Sequence, residues 1–255
     1  VTDPRVTTLP AQADQVLDSS STVVLELSEI ATPGLAEGKS FANATLLVQP
    51  LGKTLWDDIP DDQENLIRAN PNLPPQGVNG ITGFQPWVVA TMLSIPPCEL
   101  ERKTAGIKAL DEVIGERAVA HHIPVAGLET VREQLETLAG MPRGMQVTYL
   151  LTVARQAPKV ADYFETLIAF YTRRQVAAYE PFVKTTETVT GAEQAIMSFV
   201  DEELVRRRNH RMAERAIQYL ERGGAFIAVG ALHLPGKEGL VELLRDAGYK
   251  VTPIN

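Results

Sequence analysis

The chain has 255 residues, of which 44% are hydrophobic, which is enough for one large domain or two small ones. Its 24 basic and 32 acidic residues give a net charge of -8, which argues against nucleic acid and anionic membranes as partners. No run of 18 apolar residues occurs and Cys98 is the only cysteine, so the sequence predicts neither a membrane-spanning helix nor an internal disulfide.

Hydrophobic periodicity and turn residues divide the chain into a few short strands and many helices. The predicted strands cover residues 22–28, 123–126, 225–230 and 249–253. The predicted helices cover residues 11–19, 61–69, 107–121 and 237–247, almost all of 130–223, and a helix that begins at Pro86. The rest of 29–80 reads as irregular. This pattern predicts an α/β domain with a large helical insertion.

The most informative segment is the apolar run 225–230, which leads into the Gly-x-x-His motif Gly230-Ala231-Leu232-His233. A short apolar run bounded by turn residues is typical of a strand that is covered on both faces. Open α/β sheets place their ligands at the carboxyl ends of such strands, where His233 falls. The alternative is that His233 is a hydrogen-bonded polar residue of an ordinary strand-to-helix loop.

Glu26 is the one charged residue of the first predicted strand, where it shares a face with Val24 and Ser28. A carboxylate in this position is costly unless it is paired, hydrogen-bonded or bound to a metal ion. The pattern leaves a structural salt bridge and a metal ligand as equally good interpretations.

Arg208 lies on an apolar stripe of the late helix, in line with Leu204 and Met212, whereas Arg211 can point toward water. A buried guanidinium needs a carboxylate or another anion as its partner. The alternative for Arg208 is a position at the margin of the stripe, with the guanidinium in solvent.

Glu129 follows the strand 123–126, just before the capping box formed by Thr130 and Glu133. The capping box explains Thr130 and Glu133, but it leaves Glu129 without an assigned partner. Glu129 is expected to bind a site cation, to pair with Arg208, or to face solvent.

Several segments, taken together, resemble the TraB/GumN family, which includes the animal TIKI proteins. The most specific of them is the segment Ala228-Val229-Gly230-Ala231-Leu232-His233-Leu234-Pro235-Gly236. The others, in chain order, are Val24-Leu25-Glu26, Pro86-Trp87, Leu110-Asp111, Gly127-Leu128-Glu129-Thr130, Glu133-Gln134 and Arg208-Asn209. The resemblance implies an α/β fold with a mixed central sheet, related to erythromycin esterase and to the haem-binding protein ChaN.

The resemblance also implies a metal-dependent hydrolase, most simply a peptidase that acts on a peptide or protein. Glu26 and His233 would be ligands of Mn²⁺, Co²⁺ or Zn²⁺, which the geometry of such a site does not distinguish. Arg208 would stabilise a developing oxyanion, and Glu129 would act as a general base or orient a histidine. The alternatives are a ChaN-like protein with His233 as an axial haem ligand, and an interaction protein without enzymatic activity.

The family pattern has two Gly-x-x-His motifs, whereas residues 1–255 contain one. The segment Val1–Pro10 resembles the stretch that directly follows the first motif. We therefore expect a single domain over 1–255 that lacks its first strand and first Gly-x-x-His, and that has little hydrolase activity by itself.

The family favours a periplasmic or exported protein, although a lone cysteine also suits the cytosol. A homodimer is possible. If the metal site is real, Glu26 and His233 must lie within about 12 Å of each other.

Overall fold

The computed structural model describes residues 1–30, 43–186 and 191–253. At its centre is a sheet of three parallel strands, β1 (Thr22–Leu27), β2 (Val125–Glu129) and β3 (Ala225–Ala228), in the order β2-β1-β3. Val24 of the central strand lies opposite Ala126 of β2 and Ile227 of β3. Because the strands are parallel, their carboxyl ends meet at one edge of the sheet.

Helices make up most of the remaining structure. In chain order they are α1 (Ala11–Asp18), α2 (Glu64–Arg68), α3 (Pro86–Leu93), α4 (Pro97–Thr104), α5 (Leu110–Ala120), α6 (Val131–Ala139), α7 (Arg143–Gln156), α8 (Val160–Thr172), α9 (Tyr179–Thr186), α10 (Gly191–Phe199), α11 (Arg207–Arg222) and α12 (Leu240–Asp246). Residues 43–47 are also helical, and a π-helix (Val200–Arg206) leads directly into α11.

β1 is covered on both faces, as its run of apolar residues predicts. Because successive side chains of a strand point to opposite faces, Val23 and Leu25 face one side and Val24 faces the other. The first side packs against α1 and α5, in a cluster with Leu17, Ile114 and Ala118. The second packs against α11 and α12, in a cluster with Leu128, Met212, Ala213, Ala216 and Leu240. The apolar stripe of α11 therefore faces the sheet.

A separate core fills the helical part of the molecule between α2, α3 and α7. Its buried members include Ile67, Val89, Ala90, Leu93, Leu150, Leu151 and Ala154. The predicted helix start at Pro86 is confirmed, since Pro86 is the first residue of α3, where its missing N–H costs nothing. None of the helices in the described ranges is both long enough and apolar enough to cross a membrane.

The α/β class and the helical run over most of 130–223 are confirmed, but two expectations need correction. Among the described residues the strands of the sheet are all parallel, so the mixed character expected for the sheet is not seen there. The predicted strand 249–253 is also wrong, because those residues form no strand. The carbonyl of Val251 instead accepts a hydrogen bond from Arg245 Nη2 at 2.9 Å, so this oxygen bonds to a side chain rather than to a neighbouring strand.

Candidate active site

Three residues far apart in the sequence meet at the carboxyl ends of the three strands. Glu26 is the residue before the last of β1, Glu129 is the final residue of β2, and His233 ends a single helical turn just after β3. The Nε2 atom of His233 lies 3.9 Å from Oε2 of Glu26, so the predicted convergence of these two residues is confirmed. The placement follows from the parallel sheet, which brings the ends of all its strands to one edge.

Arg208 enters this group from the first turn of α11 and bridges the two carboxylates. Its Nη2 atom donates to Glu26 Oε1, and its Nε atom donates to Glu129 Oε2 at 2.9 Å. A third bond runs from Nη1 to the carbonyl of Leu204 in the π-helix, at 3.2 Å. The side chain is only 11% exposed, so Arg208 is a buried, paired cation rather than a residue at the margin of the stripe.

Glu129 is fully buried and saturated with hydrogen bonds. Arg211 Nη2 donates to its Oε1 atom at 2.6 Å, opposite the bond from Arg208 to Oε2. Burial by itself raises the pKa of Glu129, but the bonds from Arg208 and Arg211 outweigh it and hold that pKa below its usual value. Glu129 is therefore an ionised anchor for two guanidinium groups. Arg211 lies only partly in solvent, because its side chain is 31% exposed and its guanidinium is bonded to Glu129.

Gln134 is the member of this group that sequence reasoning missed as a site residue. Its Nε2 atom donates to Glu26 Oε1 at 2.8 Å and to Glu129 Oε2 at 3.2 Å, so one amide joins both carboxylates. The capping box of Thr130 and Glu133 fixes the start of α6 and places Gln134 in its first turn, near the end of β2, but it does not indicate which groups Gln134 bonds to.

His233 is buried, with its ring held between Glu26 and Asn209. Its Nδ1 atom lies 2.6 Å from Asn209 Oδ1, and its Nε2 atom faces Glu26. Burial lowers the pKa of His233. The positive charge of Arg208 lowers this pKa further, whereas the negative charge of Glu26 acts to raise it. The imidazole is therefore neutral near pH 7, which is the form that binds metal ions.

Gly230 keeps the space between Glu26 and His233 open. Its N–H donates to Glu26 Oε2 at 3.2 Å, and a methyl group at this position would lie 3.4 Å from that oxygen and 3.5 Å from His233 Cδ2. A cavity of about 200 Å³ runs from Glu26 and Gly230 along β3. Its wall is mostly apolar and includes Leu9, Ile114 and Phe226.

The donor atoms of this site fit a divalent transition metal only in part. His233 Nε2 and the Glu26 carboxylate are suitable ligands that face the same space. Within the described ranges, however, no group of three or more His, Cys, Asp or Glu side chains is arranged to hold a metal ion. Glu129, the remaining carboxylate, is already occupied by two arginines. The described residues therefore offer two donor groups to a metal ion, one fewer than the three protein ligands of catalytic zinc sites.

Comparison with known proteins identifies the family of the chain. Residues 1–253 match the model of the TraB/PrgY/gumN family, and the chain belongs to that family. It is 26% identical over 187 residues to a metalloprotease TIKI homolog of Nematostella vectensis, 28% over 189 to metalloprotease TIKI1 of Homo sapiens, and 27% over 188 to metalloprotease TIKI2 of Danio rerio. Each alignment covers 65% of this chain but only 39%, 36% and 36% of the relative, respectively. No solved structure matches the chain.

The ion pair beside the site gives a prediction for acid stability. The pKa of Glu133 is lowered to about 2, chiefly by a hydrogen bond from Arg215. Partial burial opposes this shift, and hydrogen bonds from Thr130 add to it. A carboxylate whose folded-state pKa is depressed stabilises the fold above its unfolded pKa, near 4.5, and loses that contribution as the pH falls toward about 2. Glu133→Gln should therefore be less stable than the parent at pH 7, and the difference should shrink between about pH 4.5 and 2.

Urea denaturation of the parent and of Glu133→Gln at a series of pH values measures this difference. Glu136→Gln is the matched control, because Glu136 is an exposed carboxylate of the same helix whose ion pair with Arg132 contributes little. A difference between parent and Glu133→Gln that stays constant from pH 7 to pH 2 would contradict the assignment.

Proposed function

We propose that this protein is a metal-dependent hydrolase that cleaves peptide bonds. The observation that carries the proposal is the approach of His233 Nε2 to Glu26 Oε2 at 3.9 Å, beside the buried Arg208 and at the end of an apolar cavity. One imidazole and one carboxylate facing the same space are typical ligands of catalytic metal sites. The names of the TIKI relatives, which are metalloproteases, support the same class of reaction.

Glu26 and His233 would hold the metal ion, together with a donor from the first Gly-x-x-His motif that the family resemblance implies. Mn²⁺, Co²⁺ and Zn²⁺ all suit such ligands. When bound, the ion would supply an activated water molecule and polarise the scissile carbonyl. Asn209 and Gln134 hold the two ligands in place through hydrogen bonds to His233 and Glu26.

Arg208 is the group that this chain offers for the negative charge that develops during peptide hydrolysis. Two of its nitrogens are fixed by Glu26 and Glu129, so the guanidinium is held rigidly and does not have to reorganise when the charge forms. Glu129 has a lowered pKa and two arginine partners, so in this arrangement it orients Arg208 better than it would accept a proton.

The cavity along β3 would hold part of a peptide substrate. It is lined by backbone and side chains of β3 and of the turn after it, together with apolar residues of α5 and the N-terminal segment. An extended peptide in this position would lead directly to Glu26 and Gly230. The side chains that border the cavity are mainly apolar, which favours apolar substrate residues next to the cleaved bond.

Peptidase assays with added Mn²⁺, Co²⁺ or Zn²⁺ test the proposal on two forms of the protein, residues 1–255 and a form extended through the expected upstream motif. We expect slow turnover by residues 1–255 and metal-dependent turnover by the extended form. Equal, rapid turnover by both forms would show that no upstream ligand is needed. Metal-independent turnover, or none by the extended form, would count against a metallopeptidase.

The haem-binding and interaction-protein alternatives have distinct outcomes in a second experiment. Elemental analysis of the purified extended form should find a transition metal in stoichiometric amount and no haem. A Soret band that shifts when haem is added, and that is lost in His233→Ala, would instead favour an axial haem ligand.

A further inference from the structure

We infer that Asn209 is a positioning residue that fixes the tautomer of His233, so that Nδ1 carries the proton and Nε2 presents its lone pair toward Glu26. The importance of this device for catalysis rests on the proposed function. The tautomer itself follows from hydrogen bonds of the chain alone.

The orientation of the Asn209 amide is fixed by the partner of its nitrogen atom. Its Nδ2 atom lies 2.6 Å from the backbone carbonyl oxygen of Glu238, just before α12. A carbonyl oxygen can only accept a hydrogen bond, so the amide nitrogen must face Glu238. The opposite orientation would bring two carbonyl oxygens to 2.6 Å with no hydrogen between them. Asn209 is only 1% exposed, so water cannot readily relieve that contact.

The orientation of the Asn209 amide in turn fixes which nitrogen of His233 carries the proton. With Nδ2 directed at Glu238, the Oδ1 atom of Asn209 must be the atom that lies 2.6 Å from His233 Nδ1. The amide oxygen is an acceptor only, so His233 Nδ1 has to be the donor. In a neutral imidazole one nitrogen carries the proton and the other an available lone pair, so Nε2 is left with the lone pair.

Without Asn209, the carboxylate of Glu26 would determine which tautomer of His233 is favoured. Its Nε2 atom lies 3.9 Å from Glu26 Oε2, so a proton on Nε2 would point at a carboxylate. The local electrostatics therefore favour the tautomer that cannot bind a metal through Nε2. Asn209 opposes that preference. It belongs to α11, and its bond to the carbonyl of Glu238, just before α12, holds its amide in place. A buried hydrogen bond of this kind is how proteins commonly set the ligand nitrogen of a histidine.

The inference is tested by NMR of metal-free protein labelled with ¹⁵N in histidine, at about two pH units above the ordinary histidine pKa of about 6.5. Long-range proton–nitrogen correlations distinguish a protonated ring nitrogen from one with a free lone pair. The chain has only four histidines, and the resonance that disappears in His233→Gln identifies His233. We expect the parent to show the proton on Nδ1.

Two variants complete the experiment. Asn209→Leu should shift the His233 population toward the proton on Nε2. Asn72→Leu is the matched control, since it removes another buried amide-to-carbonyl bond, from Asn72 Nδ2 to the carbonyl of Leu93 at 2.9 Å, within the helical core. It should leave His233 unchanged.

A parent protein with the proton on Nε2 would overturn the inference, and so would a folded Asn209→Leu variant that keeps it on Nδ1. If Asn209→Leu does not fold, the parent still decides the outcome, because a proton on Nε2 of His233 in the parent refutes the assignment. The measurement uses neither metal nor substrate. Failure of the peptidase proposal therefore leaves this result intact, and the reverse also holds.

Discussion

Replacing Arg208 with leucine is expected to lower the free energy of unfolding by about 3–5 kcal/mol, because a buried ion pair loses one of its partners. The Glu129 side chain has no exposed surface. Among the described residues, it would retain Arg211 as its only guanidinium partner, and Glu26 would lose the only guanidinium contact that it has. Leucine preserves the apolar character of the stripe on α11, so the effect reports the lost charge rather than lost packing. Urea denaturation followed by circular dichroism measures the change.

Arg207→Leu is the matched control, since it changes the same residue type one position earlier on the same helix. Its side chain is 60% exposed and pairs with surface glutamates, so the free energy of unfolding should change by only about 0.5 kcal/mol. Adding Glu129→Gln to Arg208→Leu should recover part of the lost stability, because a neutral amide needs no buried counter-ion. Equal losses in the two arginine variants would refute the buried-network assignment.

His233→Gln is expected to weaken the binding of Co²⁺ or Mn²⁺, and to slow peptide turnover, by at least about 100-fold. Changing a residue that only supports a metal ligand already costs about 10–100-fold, and loss of the ligand itself should cost more. Glutamine keeps a polar side chain of similar size, but it offers an amide in place of the imidazole lone pair. Equilibrium dialysis with Co²⁺ and peptidase assays of the extended, active form measure the two effects.

His210→Gln is the control for this change. His210 lies one turn into the same helix as Arg208, but its side chain is 50% exposed and its Nε2 atom faces Glu238 at 2.6 Å, away from Glu26. Metal binding and turnover should therefore be unchanged. If both histidine variants lose metal equally, or if His233→Gln retains it, then His233 is not the ligand.

Much of the fold could be predicted from local patterns. The apolar runs of β1 and β3 identified two strands, of which β1 is largely buried and β3 is half-buried, and the capping box of Thr130 and Glu133 fixed where α6 begins. The predicted strand 249–253 failed because strand-like composition is only half of the requirement. A strand also needs a partner for its backbone, and the Val251 carbonyl bonds to Arg245 instead.

The candidate site was predictable where a residue conflicts with its local pattern. Glu26 is a charge in an apolar strand and Arg208 a charge on an apolar stripe, and both conflicts are resolved by one ion pair. Arg211 and Gln134 show no such conflict, because each suits an exposed helical position. Nothing local in the sequence indicates that both bond to a buried carboxylate.

The sequence by itself determined which residues are polar and placed at strand ends, since that depends on periodicity within a few residues. Only the tertiary structure decided that Glu26, Glu129 and His233 meet, and that Arg208 lies between the two carboxylates. Those contacts join positions 79 to 207 residues apart, and the longest runs between β1 and the turn after β3. Local chain geometry cannot specify such distances, whereas the packing of parallel strands against α11 does so directly.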